Sequence, residues 1–164
     1  MIRKLLSWLF PRDVHKAVAA TAHVSRPKRR VLFLDIDGVL HPHQRGTLVR
    51  IGLLEAFLRA YPEVDVVITS TWRMQHTLEK LAELFAEDVQ AQIVGVTPFS
   101  EKTPYSRFNE VVEYMAGDPP LSWCALEDEA YLYPPDCPNV VLTDPAEGLT
   151  DADLAKVRAI LQLA

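Results

Sequence analysis

The sequence predicts an α/β domain with a doubly wound, mostly parallel sheet of five strands and no large cap domain. Short apolar runs of strand length alternate along the chain with segments whose apolar residues recur at helical spacing. Polar and acidic residues directly follow several of these runs. Because open α/β sheets bind ligands outside the carboxyl ends of their strands, these residues indicate where a site should form.

Composition and charge divide the chain into two expected regions. The 164 residues are 49% hydrophobic and 24% charged, which are globular values. Residues 1–30 hold eight Lys and Arg and a single Asp, a net charge of +7, while the remainder carries −12. We expect a basic, partly helical N-terminal arm over residues 1–30 and one domain over residues 31–164. The arm either contacts nucleic acid or a membrane surface, or is a solvated leader.

The sequence does not indicate secretion. The apolar patch at residues 5–10 is too short to span a bilayer, and no small-residue cleavage site follows closely behind it. Cys124 and Cys137 have neither metal-ligand spacing nor the pattern of a disulfide framework. The expected compartment is therefore a reducing cytoplasm.

The first strand is predicted at residues 31–34 and delivers Asp35 and Asp37 to its carboxyl end, where Gly38 permits a turn. Two carboxylates at this place suit Mg²⁺ and a phosphate, and one of them could act as a covalent nucleophile. A calcium-binding EF-hand loop is excluded, because its fifth and twelfth positions would hold valine and glycine. A purely structural turn is the alternative.

The loop beyond the aspartates contains His41 and His43. Proline between the two histidines, together with the hard ligands nearby, favours a substrate-facing loop over a histidine metal site. A helix is predicted over residues 50–60 and a second buried strand over residues 64–68.

Thr69 and Ser70 follow this second strand and precede a helix predicted over residues 73–86. A hydroxyl and free backbone N–H groups at a helix start form a corner suited to phosphate. Capping of the helix by a hydroxyl is a compatible alternative, since one side chain can serve both purposes.

The next segment combines a short strand at residues 92–96 with an amphipathic helix at residues 105–115. Lys102 and Arg107 lie near the start of that helix, where a cation would neutralise phosphate charge, or where either could be an ordinary surface residue. The apolar residues expected to point inward from this helix are Phe108, Val111, Val112 and Met115.

The last third of the chain adds two strands and a helix. A strand over residues 122–126 ends in Glu127, Asp128 and a further glutamate, and a fifth strand is predicted over residues 139–142. Thr150 should cap the final helix together with the carboxylate of residue 153, in a pattern close to a capping box.

The order of these motifs resembles that of the haloacid dehalogenase (HAD) superfamily, over residues 30–163. The motifs are the Asp-Ile-Asp-Gly-Val segment from Asp35, the Thr69-Ser70 hydroxyls, a basic residue and Glu127-Asp128. Residues 68–73, 126–128 and 142–150 more narrowly resemble the HAD-like domain of "Swiss Army Knife" RNA-repair proteins. The resemblance implies a HAD-like Rossmannoid fold.

The resemblance also implies roles for the acidic residues. Asp35 would be the nucleophile that forms an aspartyl-phosphate, and Asp37 the general acid/base. Mg²⁺ would bind the Asp35 carboxylate, the backbone carbonyl of Asp37 and the Asp128 carboxylate. Glu127 departs from the commonest Asp-Asp form of the last motif, which would weaken metal affinity.

For the substrate, the resemblance implies a phosphate held by Thr69 or Ser70 and by Lys102 or Arg107, with both choices left open. The implied activity is that of a Mg²⁺-dependent phosphohydrolase acting on a phosphorylated substrate such as RNA or DNA ends or nucleotides. A non-catalytic phosphate-binding or regulatory domain is the alternative. A phospho-acceptor receiver domain is disfavoured, because both acids follow the first strand rather than separate strands.

Overall fold

The computed structural model describes residues 29–44, 47–101 and 103–164. Within these ranges, five strands form one sheet in the order β3-β2-β1-β4-β5, and each neighbouring pair is parallel. The doubly wound α/β fold predicted from the sequence is confirmed. The strands are β1 (Arg30–Leu34), β2 (Val64–Ile68), β3 (Ile93–Val96), β4 (Ser122–Glu127) and β5 (Val140–Leu142).

Four α-helices flank the sheet, and in the described ranges the connections between strands contain no separate cap domain. Every described helix is too short or too polar to cross a lipid bilayer. The α-helices are α1 (Ile51–Ala60), α2 (Leu78–Ala82), α3 (Ser106–Met115) and α4 (Asp151–Leu161). Short 3₁₀ helices occupy Pro42–Gln44, Thr71–Met74, Gln90–Gln92 and Ala130–Leu132.

The central strand β1 is buried on both faces of the sheet. Leu32 and Leu34 point into a large core that includes residues of α1, α2 and α4, while Val31 and Phe33 point into a smaller core against α3. Because successive side chains of a strand point to opposite faces, burial of both faces requires a continuous apolar run. This explains why polar and apolar residues do not alternate along β1. Because β1 is the central strand, its carboxyl end lies in the middle of that edge of the sheet.

The last helix begins as predicted. The Thr150 hydroxyl accepts a hydrogen bond from the Asp153 N–H, and the Asp153 carboxylate accepts one from the Thr150 N–H, each at 3.2 Å. These reciprocal bonds form a complete capping box and satisfy two backbone donors that a helix start leaves free.

The single helix predicted over residues 73–86 is wrong. The chain instead forms the 3₁₀ helix Thr71–Met74 and, after a break, the short helix α2. The break falls at Thr77, whose backbone is extended and whose hydroxyl accepts a hydrogen bond from the Lys80 N–H. A threonine that caps a new helix in this way competes with continuation of the preceding one.

The inward-facing residues of α3 were also predicted only in part. Val111 is buried as expected, but Val112 is 46% exposed. The buried side of α3 carries two charged residues, Arg107 and Glu110, which purely apolar spacing does not reveal. Helix α3 therefore buries charged side chains as well as apolar ones against the sheet.

Candidate active site

The site forms where the carboxyl ends of β1, β2 and β4 lie side by side. The backbone ladder continues one residue past β1: the Asp35 N–H donates to Leu126 O at 3.1 Å, and the Thr69 N–H donates to Leu34 O at 2.8 Å. Asp35 is therefore held by the sheet itself and is only 6% exposed. This register brings the residues after β2 and β4 to either side of the Asp35 carboxylate.

Three carboxylates meet in this region. Oxygens of Asp35, Glu127 and Asp128 all lie within 4.8 Å of one another. Burial raises the pKa of Asp35 to about 7, although the nearby Arg107 guanidinium opposes the shift. Burial, reinforced by the Asp35 charge, raises the pKa of Glu127 to about 8, and burial also raises the pKa of Asp128. Such crowding is unfavourable for three charged groups unless protons or a cation compensate it.

The donor set of this acidic cluster fits a hard cation. Glu127 Oε1 accepts the backbone N–H groups of Asp128 and Glu129 at 3.2 and 3.4 Å. Glu127 Oε2 is buried and has no hydrogen-bond partner among the described residues. Oxygen ligands from carboxylates, completed by water and phosphate, are those that Mg²⁺ takes in proteins. The residues present therefore fit a magnesium ion.

Gly38 allows Asp128 to approach the first strand closely. Gly38 has φ +73, and a Cβ placed there would lie 2.1 Å from Asp128 Oδ2. The Thr143 hydroxyl, which follows β5, donates to the Gly38 carbonyl at 2.9 Å and holds this turn in place. Glycine is thus required at this position both by its backbone conformation and by the carboxylate packed against it.

Arg107 supplies the cation that faces Asp35. Its Nη2 lies 3.9 Å from Asp35 Oδ1, its Nη1 donates to Glu110 at 2.9 Å, and its Nε lies 3.5 Å from Glu127 Oε2. Burial disfavours the charge of this guanidinium, but Glu127, Asp35 and Glu110 outweigh that effect and raise its pKa. The other candidate, Lys102, lies outside the described residues.

A second buried arginine, which was not predicted from the sequence, binds the backbone of the segment that follows β2. Arg73 Nη2 forms a 2.7 Å ion pair with Glu110, and its Nε donates to Thr97 O at 3.1 Å. Its Nη1 donates to the carbonyl oxygens of Ser70, at 2.8 Å, and Thr69. Burial, followed by the charge of neighbouring Arg107, lowers the pKa of Arg73. Glu110 follows Arg107 by three residues on a predicted helix, which indicates a charged pair there, but nothing in the sequence identifies Arg73 as its further partner.

The two candidate hydroxyls occupy different environments. The Ser70 hydroxyl accepts a long, 3.5 Å bond from the Trp72 N–H, and its interaction with the Asp35 carboxyl group acts to lower the pKa of Asp35 against the effect of burial. The Thr69 hydroxyl is completely buried and has no hydrogen-bond partner within the described part of the chain. Of the two hydroxyls, that of Ser70 is therefore the one that interacts with Asp35.

The second aspartate of the pair, Asp37, has its own two contacts. Its Oδ2 accepts a 2.8 Å hydrogen bond from Trp72 Nε1, and its Oδ1 lies 3.1 Å from His41 Nδ1. The loop holding His41 was expected to face substrate, but the His41 imidazole turns inward to Asp37, and His43 is exposed. Trp72 was not predicted as a site residue, and no local signal in the sequence indicates its contact.

A parallel sheet with an aspartate pair after its central strand, and acids after a neighbouring strand, defines a HAD-type domain. Residues 31–154 match the family described as the HAD domain in Swiss Army Knife RNA repair proteins, so the chain belongs to that family. The resemblance inferred from the sequence is confirmed, and membership indicates a function in HAD-type phosphoryl transfer. No curated protein and no solved structure matches the chain.

Proposed function

We propose that this protein is a Mg²⁺-dependent phosphohydrolase that acts through an aspartyl-phosphate on Asp35. One observation carries the proposal: the buried Asp35 carboxylate faces the Arg107 guanidinium at 3.9 Å, the Ser70 hydroxyl and the Glu127–Asp128 acids. A nucleophile, a cation, a hydroxyl donor and a set of metal ligands are the parts that phosphoryl transfer requires from a protein.

Arg107 and Ser70 would bind the transferred phosphoryl group. Glu110 occupies Nη1 of Arg107, whereas Nη2 is directed toward Asp35 from beyond hydrogen-bonding distance. Donors on this guanidinium remain available for phosphoryl oxygens, and an arginine stays charged throughout the working pH range. The Ser70 hydroxyl, which interacts with Asp35, would donate to a phosphoryl oxygen once substrate is present.

The reaction would proceed in two steps. An oxygen of Asp35 attacks phosphorus, the bond from phosphorus to the leaving oxygen breaks, and Asp37 gives that oxygen a proton. In the second step Asp37 takes a proton from water, the water oxygen attacks phosphorus, and the Asp35–phosphorus bond breaks to release inorganic phosphate. Each step is balanced, and Asp37 ends in its starting protonation state.

The Asp35 and Asp128 carboxylates and the Asp37 backbone carbonyl would hold Mg²⁺, with the Glu127 charge beside them. When bound, the ion supplies charge neutralisation and orients phosphoryl oxygens. The chain itself brings the carboxylate oxygens of Asp35, Glu127 and Asp128 within 4.8 Å of one another, and the Gly38 turn allows Asp128 to come this close.

The family and the architecture of the domain support one class of substrate. The family is described by its occurrence in RNA repair proteins, which supports phosphorylated RNA or DNA ends, or nucleotides, as substrates. The absence of a separate cap domain from the described residues supports a site open to bulky molecules. We also propose that residues 1–30 form a basic arm and residues 31–164 the phosphatase domain. The proposed compartment is the cytoplasm.

The test is phosphate release from an aryl phosphate, from nucleotides and from 5′- and 3′-phosphorylated oligonucleotides, with Mg²⁺ or with EDTA. Asp35→Asn should abolish Mg²⁺-dependent turnover. Asp136→Asn is the matched control, since Asp136 is exposed in the loop between β4 and β5 and its positive φ of 59 is one that Asn also adopts. Equal release by the protein and by Asp35→Asn would contradict the enzyme assignment, and phosphate binding without release would favour the non-catalytic alternative.

A further inference from the structure

Both carboxylate oxygens of Asp37 are held by side chains from two separate segments. The indole N–H of Trp72, from the 3₁₀ helix after β2, donates to Oδ2 at 2.8 Å. The imidazole of His41, from the loop after β1, lies with Nδ1 3.1 Å from Oδ1. The aspartate adjacent to the nucleophile is therefore fixed in orientation from two sides.

Backbone structure determines where the His41 ring lies. The N–H groups of Leu40 and His41 both donate to Ile36 O, at 2.8 and 3.1 Å, and the Gly38 N–H donates to His41 O at 3.1 Å. These bonds close a tight loop that returns the chain to Asp37 four residues later. The contact follows from the loop and does not depend on a long, flexible side chain.

The Trp72 ring is also held in place. Ser70 caps its 3₁₀ helix, and the indole packs against the main hydrophobic core while its N–H points to Asp37. An indole N–H can only donate, so this bond has a fixed direction. The His41 ring has a single hydrogen-bond partner among the described residues, because its Nε2 is buried and unpaired. Nδ1 is therefore the ring nitrogen that faces Asp37.

We infer that Trp72 and His41 are positioning residues that orient Asp37 for proton transfer to the leaving oxygen. This inference rests on the proposed function, because it assigns the residues an effect only through the general acid/base. A general acid must face the atom that it protonates, and small losses of orientation reduce the rate strongly. Trp72 and His41 act on the reaction by holding Asp37.

A purely structural role for the two residues makes a different prediction. If Trp72 only filled space, its loss would affect all substrates equally. If it positions a general acid, its loss should matter most for a leaving group that needs a proton, such as an alkyl phosphate. A 4-nitrophenolate leaves without protonation, so 4-nitrophenyl phosphate should be much less sensitive. The comparison uses kcat/KM, which reports the steps up to departure of the leaving group.

The experiment compares Trp72→Phe and His41→Ala on these two substrates with Mg²⁺. Trp72→Phe keeps an aromatic ring and removes the N–H, and we expect about a tenfold loss of kcat/KM for the alkyl phosphate and less than about threefold for the aryl phosphate. His41→Asn restores a side-chain N–H donor and should recover activity relative to His41→Ala. Trp123→Phe, whose ring contacts Phe33 and Phe108 on the other side of the sheet, is the matched control and should change neither value.

A double variant completes the test. In an Asp37→Asn background, Trp72→Phe should cause no further loss, because the group that it positions is already absent. Equal losses for both substrates, or losses that multiply in the double variant, would overturn the inference. Failure of the proposed function is distinguishable, since it would appear as turnover that survives Asp35→Asn.

Discussion

The Arg107 guanidinium and the Asp35 carboxylate lie 3.9 Å apart, and both side chains are buried. The separation is too long for a hydrogen bond but short enough for the charge to act. Arg107 is anchored from behind by Glu110 at 2.9 Å. The pair therefore places a fixed cation close to the carboxylate oxygen that is proposed to attack phosphorus.

Arg107→Lys should lower kcat/KM by about tenfold or more while leaving the domain folded. Lysine keeps the positive charge but cannot contact Glu110, Glu127 and a phosphoryl oxygen with one planar group. Steady-state kinetics and circular dichroism measure the two effects. Arg158→Lys, on α4, is the control and should leave activity unchanged; an unchanged kcat/KM for Arg107→Lys would contradict a role in phosphate binding.

Arg73→Met should destabilise the protein by about 3–5 kcal/mol, since it leaves Glu110 and three backbone carbonyls with fewer partners in a buried position. Urea unfolding measures the change. Arg59→Met removes an arginine that pairs with Asp88 at 2.6 Å on the exposed surface, and it should cause no measurable change. Similar free energies of unfolding for the two variants would show that the contacts of Arg73 do not stabilise the fold.

In EDTA, the free energy of unfolding should fall as pH rises from about 5 to about 8. The folded-state pKa values of Asp35, about 7, and Glu127, about 8, lie above their ordinary values, so the folded protein holds protons that the unfolded chain has released. Stability contributed by these protonated acids is lost as pH rises through the folded pKa values. Mg²⁺ should restore stability most strongly at the alkaline end, because there it compensates ionised carboxylates.

Urea unfolding at several pH values, with EDTA and with Mg²⁺, tests this dependence. Glu127→Gln removes one of the acids whose pKa is raised in the folded protein and should give a shallower decrease in EDTA. A stability that rises with pH over this interval, or an Mg²⁺ effect that is largest at pH 5, would contradict the account of the acidic cluster.

Gly38→Ala should reduce Mg²⁺-dependent activity and destabilise the fold by about 1 kcal/mol or more. The added Cβ would lie 2.1 Å from Asp128 Oδ2, in a backbone conformation with φ +73, so the carboxylate must move. Calorimetric Mg²⁺ titration and thermal unfolding measure the two effects. Gly52→Ala is the control: no atom lies within 4 Å of its new Cβ, and alanine in helix α1 should raise stability by about 0.5–1 kcal/mol. Unaltered Mg²⁺ binding by Gly38→Ala would exclude Asp128 as a ligand.

Much of the fold was predictable because its signals are local. Apolar runs mark the strands, and the acids after β1 and β4 and the hydroxyls after β2 converge because parallel strands end at one edge. The contacts of Arg73 with Glu110 and of Trp72 with Asp37 were not predictable, since each joins residues more than thirty positions apart whose side-chain directions depend on packing. Helical spacing alone also missed the break at Thr77.

The central claim is that Asp35 becomes phosphorylated during turnover, and trapping the adduct tests it most directly. An alkyl phosphate labelled in its phosphoryl group is mixed with Mg²⁺ and the protein, quenched in acid, and the peptides are analysed by mass spectrometry. The account predicts one phosphoryl group on the peptide containing Asp35, and none in Asp35→Asn or in EDTA. Turnover with no label on that peptide, or with label on another residue, would contradict it.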